Sequence, residues 1–171
     1  DKCETYDPIF KVNPPLRNKY DQEALLTAVI NGVIDVIATD HAPHPIESKE
    51  GEFAGAAFGM LGLQSAASVV AKVLIETNKI SWEKFFEIMS INPAKLTGLA
   101  DHGQEIAVGS VANLTLIQKL PYQMNNQDLF SKSQNNPFAH EKFEYQIKAT
   151  VLRGTLKYLD GIILNSQVSN N

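Results

Sequence analysis

Residues 33–39, Val-Ile-Asp-Val-Ile-Ala-Thr, form a β-branched run that does not alternate with polar residues, and the run passes directly into Asp40-His41-Ala42-Pro43-His44. A continuous apolar run of this length suits a parallel strand covered on both faces, whereas a half-exposed antiparallel strand would alternate. Such a strand needs crossover helices, so the chain is expected to be α/β. The end of such a strand is also where barrels and parallel sheets deliver acids and histidines to one mouth. An acid and two histidines there point to hydrolytic metal chemistry, yet one strand end does not complete a metal site.

The flanking pattern supports alternation of strand and helix. Residues 10–12 are a short extended piece stopped by Asn13-Pro14-Pro15, because proline cannot donate to a ladder. Asp21 reads as the N-cap of a helix over 22–31, with Leu25, Leu26, Val29 and Ile30 on one face and Gly32 as its stop. Residues 45–62 are glycine-rich, polar and aperiodic, hence a long loop of the kind that borders active sites or is disordered. Residues 63–76 read as a helix. Ser81 caps another carrying Trp82, Phe85, Phe86 and Met89, and Asn92-Pro93 starts a third that Gly98 closes. Trp82, Phe85 and Phe86 are expected in the core.

The pattern changes after Gly98. Residues 105–117 read as strand, 121–140 as irregular, and 145–152 with 155–159 as a hairpin turning at Arg153-Gly154. Asp160-Gly161 makes a further turn into Ile162-Ile163-Leu164, and 165–171 read as a frayed tail. The division is therefore residues 1–100, alternating β and α, and residues 101–171, β without helices.

Bulk properties exclude several functions. The net charge of −4 leaves no basic surface for nucleic acid or anionic membrane, and no apolar run reaches the roughly 20 residues that span a bilayer. Cys3 is the sole cysteine, so no internal disulfide forms, and a reducing cytoplasm is the expected compartment. The polar start, without Met, is not a signal peptide and reads like a chain entered in the middle.

Several motifs then occur in order: Lys11-Val12-Asn13-Pro14-Pro15-Leu16-Arg17, Ala38-Thr39-Asp40-His41-Ala42-Pro43-His44, and Phe58-Gly59 with Gly62-Leu63. With Asn92-Pro93-Ala94, Gly109-Ser110-Val111-Ala112-Asn113-Leu114, Ser131-Lys132-Ser133 and Asn136-Pro137-Phe138, the chain resembles the C-terminal half of a class I bacterial dihydroorotase, in the amidohydrolase superfamily. The resemblance implies a (β/α)8 barrel whose last two strands and helices lie in residues 1–100. Residues 101–171 would be C-terminal strands of a composite β-sandwich. It implies zinc, one or two ions, and reversible hydrolysis of dihydroorotate to carbamoyl-aspartate in pyrimidine synthesis.

The resemblance also implies residue roles. Asp40 would be a zinc ligand and the general base and acid, the bland alternative being a turn or cap aspartate. His44 would bind the substrate carboxylate, against an exposed loop histidine. Asn13 would contact the ring or carboxylate, against a plain strand-ending Asn. Phe58 and Gly59 would hold the ring through backbone groups, against a simple loop-to-helix turn. Ala57 and Gln64 replace the Pro and Glu of many relatives, which bears on loop rigidity. His41 reads as a structural hydrogen-bonding residue, Arg17 as a structural ion pair or helix contact, and His102 and His140 as surface residues.

The family's first barrel strand carries two histidines and an arginine, and its middle strands a bridging acid and two more histidines. None of these is in the chain. The expected partner is the missing N-terminal half of the same enzyme, and the fragment alone is expected to be inactive. A homodimer or an assembly with aspartate transcarbamoylase is also open. The competing readings are a hydantoinase or allantoinase, which share the Pro-Pro-Leu-Arg and Asp-His elements, and an inactive homologue serving as an assembly partner of aspartate transcarbamoylase.

Overall fold

Asn18, three residues earlier than the expected Asp21, opens the first regular helix. In the computed structural model, which describes residues 2–164, helix α1 spans Lys19–Ile30 and the Asn18 side chain accepts from the Asp21 N–H at 3.0 Å. Asp21 is thus capped rather than capping, and its carboxylate takes an ion pair from Arg17 at 3.0 Å instead. An i,i+4 pair of opposite charge at a helix start is locally favourable. Gly32, at φ 72°, turns the chain out of the helix.

The expected strand over 33–39 forms no ladder. Asp35 offers its carbonyl to the Asn92 side chain at 2.9 Å, and the Ile37 N–H donates to the Ile88 carbonyl at 3.2 Å. The nearest pairing is one parallel bridge, His41 to Met60. Residues 10–12 form no strand either: a 3-10 turn, Pro8–Phe10, leads into Lys11, whose carbonyl accepts from the Gly59 N–H at 2.9 Å. A strand is defined by its neighbours. No strand lies beside either segment among the described residues, so their backbone groups find helices and loops.

The loop over 45–62 is irregular apart from a 3-10 turn, Ile46–Ser48. Helix α2, Ala66–Val70, widens into a π-helical stretch, Ala71–Ile75. Helix α3, Trp82–Phe86, capped by Ser81, widens likewise over Glu87–Ile91 and runs on as α4, Asn92–Thr97. Asn92 therefore lies inside a continuous helical stretch rather than capping a new one. Gly98, left-handed at φ 71°, ends α4 as expected. A π turn leaves the regular i→i−4 ladder, and the Ile88 carbonyl within one is the acceptor for Ile37.

Four antiparallel strands follow in order β1 (Leu114–Gln123), β2 (Lys142–Leu152), β3 (Thr155–Leu159) and β4 (Ile162–Ile163). Strand β1 starts later than the expected residue 105 and runs past Pro121. It tolerates the proline because it is an edge strand whose register to β2 shifts between Lys119 and Tyr122. Arg153-Gly154 at φ 50° and 77°, and Asp160-Gly161 at 47° and 87°, are the two-residue turns with both central φ positive that match strand twist. The expected tail, 165–171, lies outside the described residues.

One core joins these layers. Val29, Val70, Ala71, Leu74, Ile75, Phe85 and Ile88 are buried together, with Ile34, Ile37, Trp82, Ile117 and Tyr145 packed against them. Trp82 meets Tyr145 edge-on at 5.0 Å, fixing α3 to β2. Fully burying Phe85 and Ile88 contributes roughly 1.5–3 kcal/mol each. The accessible surface is nevertheless 11600 Å². Size scaling gives about 8,300 Å² for a compact chain of this mass. Val33, Leu63, Leu96, Ile106 and Val108 are among the large apolar side chains in water.

Candidate active site

Three segments separated in sequence converge at the end of the 33–39 run. The Ala42 N–H donates to the Met60 carbonyl at 3.0 Å, and the Gly59 N–H to the Lys11 carbonyl at 2.9 Å. The turn 40–44, the loop 58–62 and the segment leading to Asn13 are thereby tied together through backbone.

Asp40 is exposed and left-handed, at φ 45°. Aspartate visits that region more readily than most residues, but the conformation still strains the backbone. It re-aims the side chain relative to the preceding residues. The carboxylate has no hydrogen-bond or ion-pair partner among the described residues, so its acceptor capacity is open.

His41 sits beside it with a different task. Its Nδ1 accepts from the Gly62 and Leu63 N–H groups, each at 3.2 Å. In the neutral ring the proton then resides on Nε2. The expected structural role of His41 agrees with these bonds, which hold the start of the helical layer against the turn.

His44 lies across from the other loop. Its Nε2 is 2.8 Å from the Phe58 carbonyl. A carbonyl only accepts, so Nε2 is the donor and Nδ1 is the ring atom left for other partners. Gly59 adopts φ 131°, and a Cβ there would lie 2.6 Å from the Ala42 Cβ and 3.0 Å from His44 Nε2. Only glycine lets the loop approach this closely. The structure thus brings His44, Phe58 and Gly59 together. Asn13 is exposed, precedes Pro14 through a cis bond, and its amide makes no hydrogen bond among the described residues.

Sequence reasoning missed the residues that hold these segments. Asn135, 5% exposed, sends its side-chain amide to the Ala42 carbonyl at 2.9 Å and the Gly59 carbonyl at 3.3 Å. Its Oδ1 accepts from the His44 N–H at 3.3 Å. Lys11 donates to the Ala54 carbonyl at 2.7 Å and lies 4.6 Å from the centre of the Phe58 ring. Lys49 donates to the carbonyls of Lys11 and Ala57 at 3.2 and 2.9 Å. Burial first, and the nearby Lys11 charge second, lower the Lys49 pKa, opposed by Asp7. A polar Asn-Asn pair and two ordinary lysines carry no sequence signal of such burial. His140 is exposed, as expected, while His102 is half-buried with Nε2 3.7 Å from Asp101.

Among the described residues no three His, Cys, Asp or Glu side chains gather closely enough to hold a metal ion. One free carboxylate does not fit a complete zinc centre, which takes about four ligands.

A helical layer packed on a small antiparallel sheet, with an acid-histidine turn at the end of an apolar run, defines an α/β protein whose polar groups are assembled by loops. The amidohydrolase family pattern matches residues 13–157, and the chain belongs to that family. Its relatives include the dihydroorotases of Streptomyces coelicolor, 40% identical over 92% of this chain and 37% of that protein, and of Mycobacterium tuberculosis, 42% identical over 95% and 38%. The dihydroorotase of Carboxydothermus hydrogenoformans is 44% identical over 90% and 36%. The chain therefore spans little more than a third of the length of these relatives. In structure it is similar to an L-hydantoinase from Arthrobacter aurescens, TM-score 0.90 at 29% identity, covering 96% of this chain and 38% of that one. A D-hydantoinase from Thermus sp., TM-score 0.82 at 23% identity over 96% and 38%, shares the fold.

Proposed function

We propose that this chain is the C-terminal share of a dihydroorotase, the zinc-dependent enzyme that interconverts dihydroorotate and carbamoyl-aspartate in pyrimidine synthesis. The observation that carries the reading is the convergence of the Asp40–His44 turn on Phe58 and Gly59 in a chain 40–44% identical to dihydroorotases. The alternative, a hydantoinase, rests on structural neighbours of lower identity.

In this reading residues 1–100 complete a (β/α)8 barrel and residues 101–171 a β-sandwich. The unladdered segments 10–12 and 33–39 then pair with strands from the N-terminal part of the same enzyme. The excess surface and the many exposed large apolar side chains support a missing partner of this kind. We assign the chain one zinc ligand, Asp40, the others coming from that part. Bound zinc would supply Lewis-acid polarisation of the ring carbonyl.

The chain's own residues supply the rest. Asp40, exposed and without a protein partner among the described residues, takes a proton from the attacking water and gives it to the leaving amide nitrogen. His44, with Nε2 held by Phe58, meets the substrate carboxylate at Nδ1, and does so as a donor when the ring is protonated at both nitrogens. The backbone of Phe58 and Gly59 and the Asn13 amide orient the ring. A cytoplasmic site suits this chemistry, and no helix among the described residues is long and apolar enough to cross a membrane.

The test is turnover of dihydroorotate by a full-length protein carrying this segment, compared with turnover of hydantoin. Preference for dihydroorotate, with a raised KM in His44→Ala, supports the reading. Equal or better use of hydantoin, with an unchanged KM for dihydroorotate in His44→Ala, refutes it. The isolated 171-residue chain should not turn over either substrate.

A further inference from the structure

The turn 41–44 and the loop 58–61 face each other but share a single bridge, His41 to Met60. After the Ala42 N–H to Met60 carbonyl bond the ladder stops, and the next backbone groups need other partners. Four of these groups are met by one residue. The Asn135 amide nitrogen donates to Ala42 on one segment and Gly59 on the other, its amide oxygen accepts from His44, and its main-chain carbonyl accepts from Leu61 at 2.9 Å. Asn135 is 91 residues beyond His44 in sequence.

We propose that Asn135 is a positioning residue of the site. It sets the gap between the His44 segment and the Phe58-Gly59 loop, and through that gap the orientation of the His44 imidazole. The side chain does what a third strand would do: its amide nitrogen donates to both segments, and its amide oxygen accepts from His44 on one of them. Only an amide does this: aspartate keeps the acceptor for His44 and loses the donor to both carbonyls, and alanine loses both. Gly59 makes the arrangement sensitive, because Ala42 and His44 already pack at the limit allowed by the missing Cβ. The proposal rests on the dihydroorotase reading for its substrate but not for its geometry.

The experiment is a double-mutant cycle in the full-length protein, with amide hydrogen exchange measured on the same variants. Alone, Asn135→Ala should lower kcat/KM for dihydroorotate about 10²-fold, the loss expected of a misplacement near 1 Å. His44→Ala in that background should add little, whereas a merely structural Asn135 would give additive losses. Additive losses overturn the proposal. Exchange of the amides in 42–44 and 59–61 should accelerate in Asn135→Ala, and in Asn135→Asp, while the helical core keeps its protection. Unchanged exchange there overturns the proposal, whatever the substrate. If the unmodified protein leaves dihydroorotate intact, the functional reading fails, and the exchange result alone decides the role of Asn135.

Discussion

Replacing Gly59 by alanine tests the site through a single methyl group. At φ 131° the new residue sits where L side chains are rarely found, which costs on the order of 1–3 kcal/mol. The added Cβ would also lie 2.6 Å from the Ala42 Cβ and 3.0 Å from His44 Nε2. Relieving such overlap in a packed site costs roughly 1–3 kcal/mol more. The total is about 2–6 kcal/mol if the loop holds, and otherwise the Phe58-Gly59 loop moves away from His44. Gly51 is an internal control. It lies in the same loop at φ 94°, and a Cβ added there would meet nothing within 4 Å, so Gly51→Ala carries the backbone term alone. Chemical denaturation and steady-state kinetics on full-length protein separate the two effects. Gly51→Ala should lose about 1–3 kcal/mol with kcat/KM unchanged, and Gly59→Ala should lose more and drop kcat/KM by about 10²-fold. Equal stability losses together with intact kinetics in both variants would refute the reasoning.

Other predictions follow from the same bonds. Nitrogen-15 shifts should report His41 and His44 protonated on Nε2 in their neutral forms, and a protonated Nδ1 in neutral His41 would contradict its bonds to Gly62 and Leu63. Lys49→Met removes the donor to two loop carbonyls and should make the segment 50–57 cleave faster under limited proteolysis, with an unchanged rate counting against the clamp. A hydrogen bond and the charge of Lys72 lower the Glu141 pKa. Its stabilisation should therefore be present above the ordinary carboxylate range and vanish as pH falls through the lowered folded-state value. Both side chains are substantially exposed, so Glu141→Gln should cost no more than about 1 kcal/mol at neutral pH and nothing in strong acid.

The sequence foretold local structure best where local chemistry decides it. Arg153-Gly154 and Asp160-Gly161 turn where positive φ is needed, Ser81 caps α3, and Gly98 ends α4. It misled where a segment's partner decides. The apolar run 33–39 has strand composition but bonds to Asn92 and Ile88, because no strand of this chain lies beside it among the described residues. Asn18 rather than Asp21 caps α1, and Asp21 pairs with Arg17 instead. At the site, His44, Phe58 and Gly59 were legible as motif residues. Asn135 and Lys49 were not, and Lys11 stood in a motif without any sign of its role, since what these side chains do lies in bonds to carbonyls of other segments, and any polar residue in a loop looks the same before folding.

The proposed chemistry depends most directly on Asp40. Asparagine accepts the left-handed conformation that Asp40 adopts, so Asp40→Asn removes the charge without changing the backbone requirement. The carboxylate has no partner among the described residues, so folding should be indifferent to the change. The decisive measurement is kcat for dihydroorotate in full-length Asp40→Asn, with the unfolding midpoint of the metal-free protein recorded alongside. A proton carrier at this position predicts a loss of about 10²–10⁴-fold at an unchanged midpoint. A variant that turns over within about tenfold of the unmodified protein would show that the proton passes through another group.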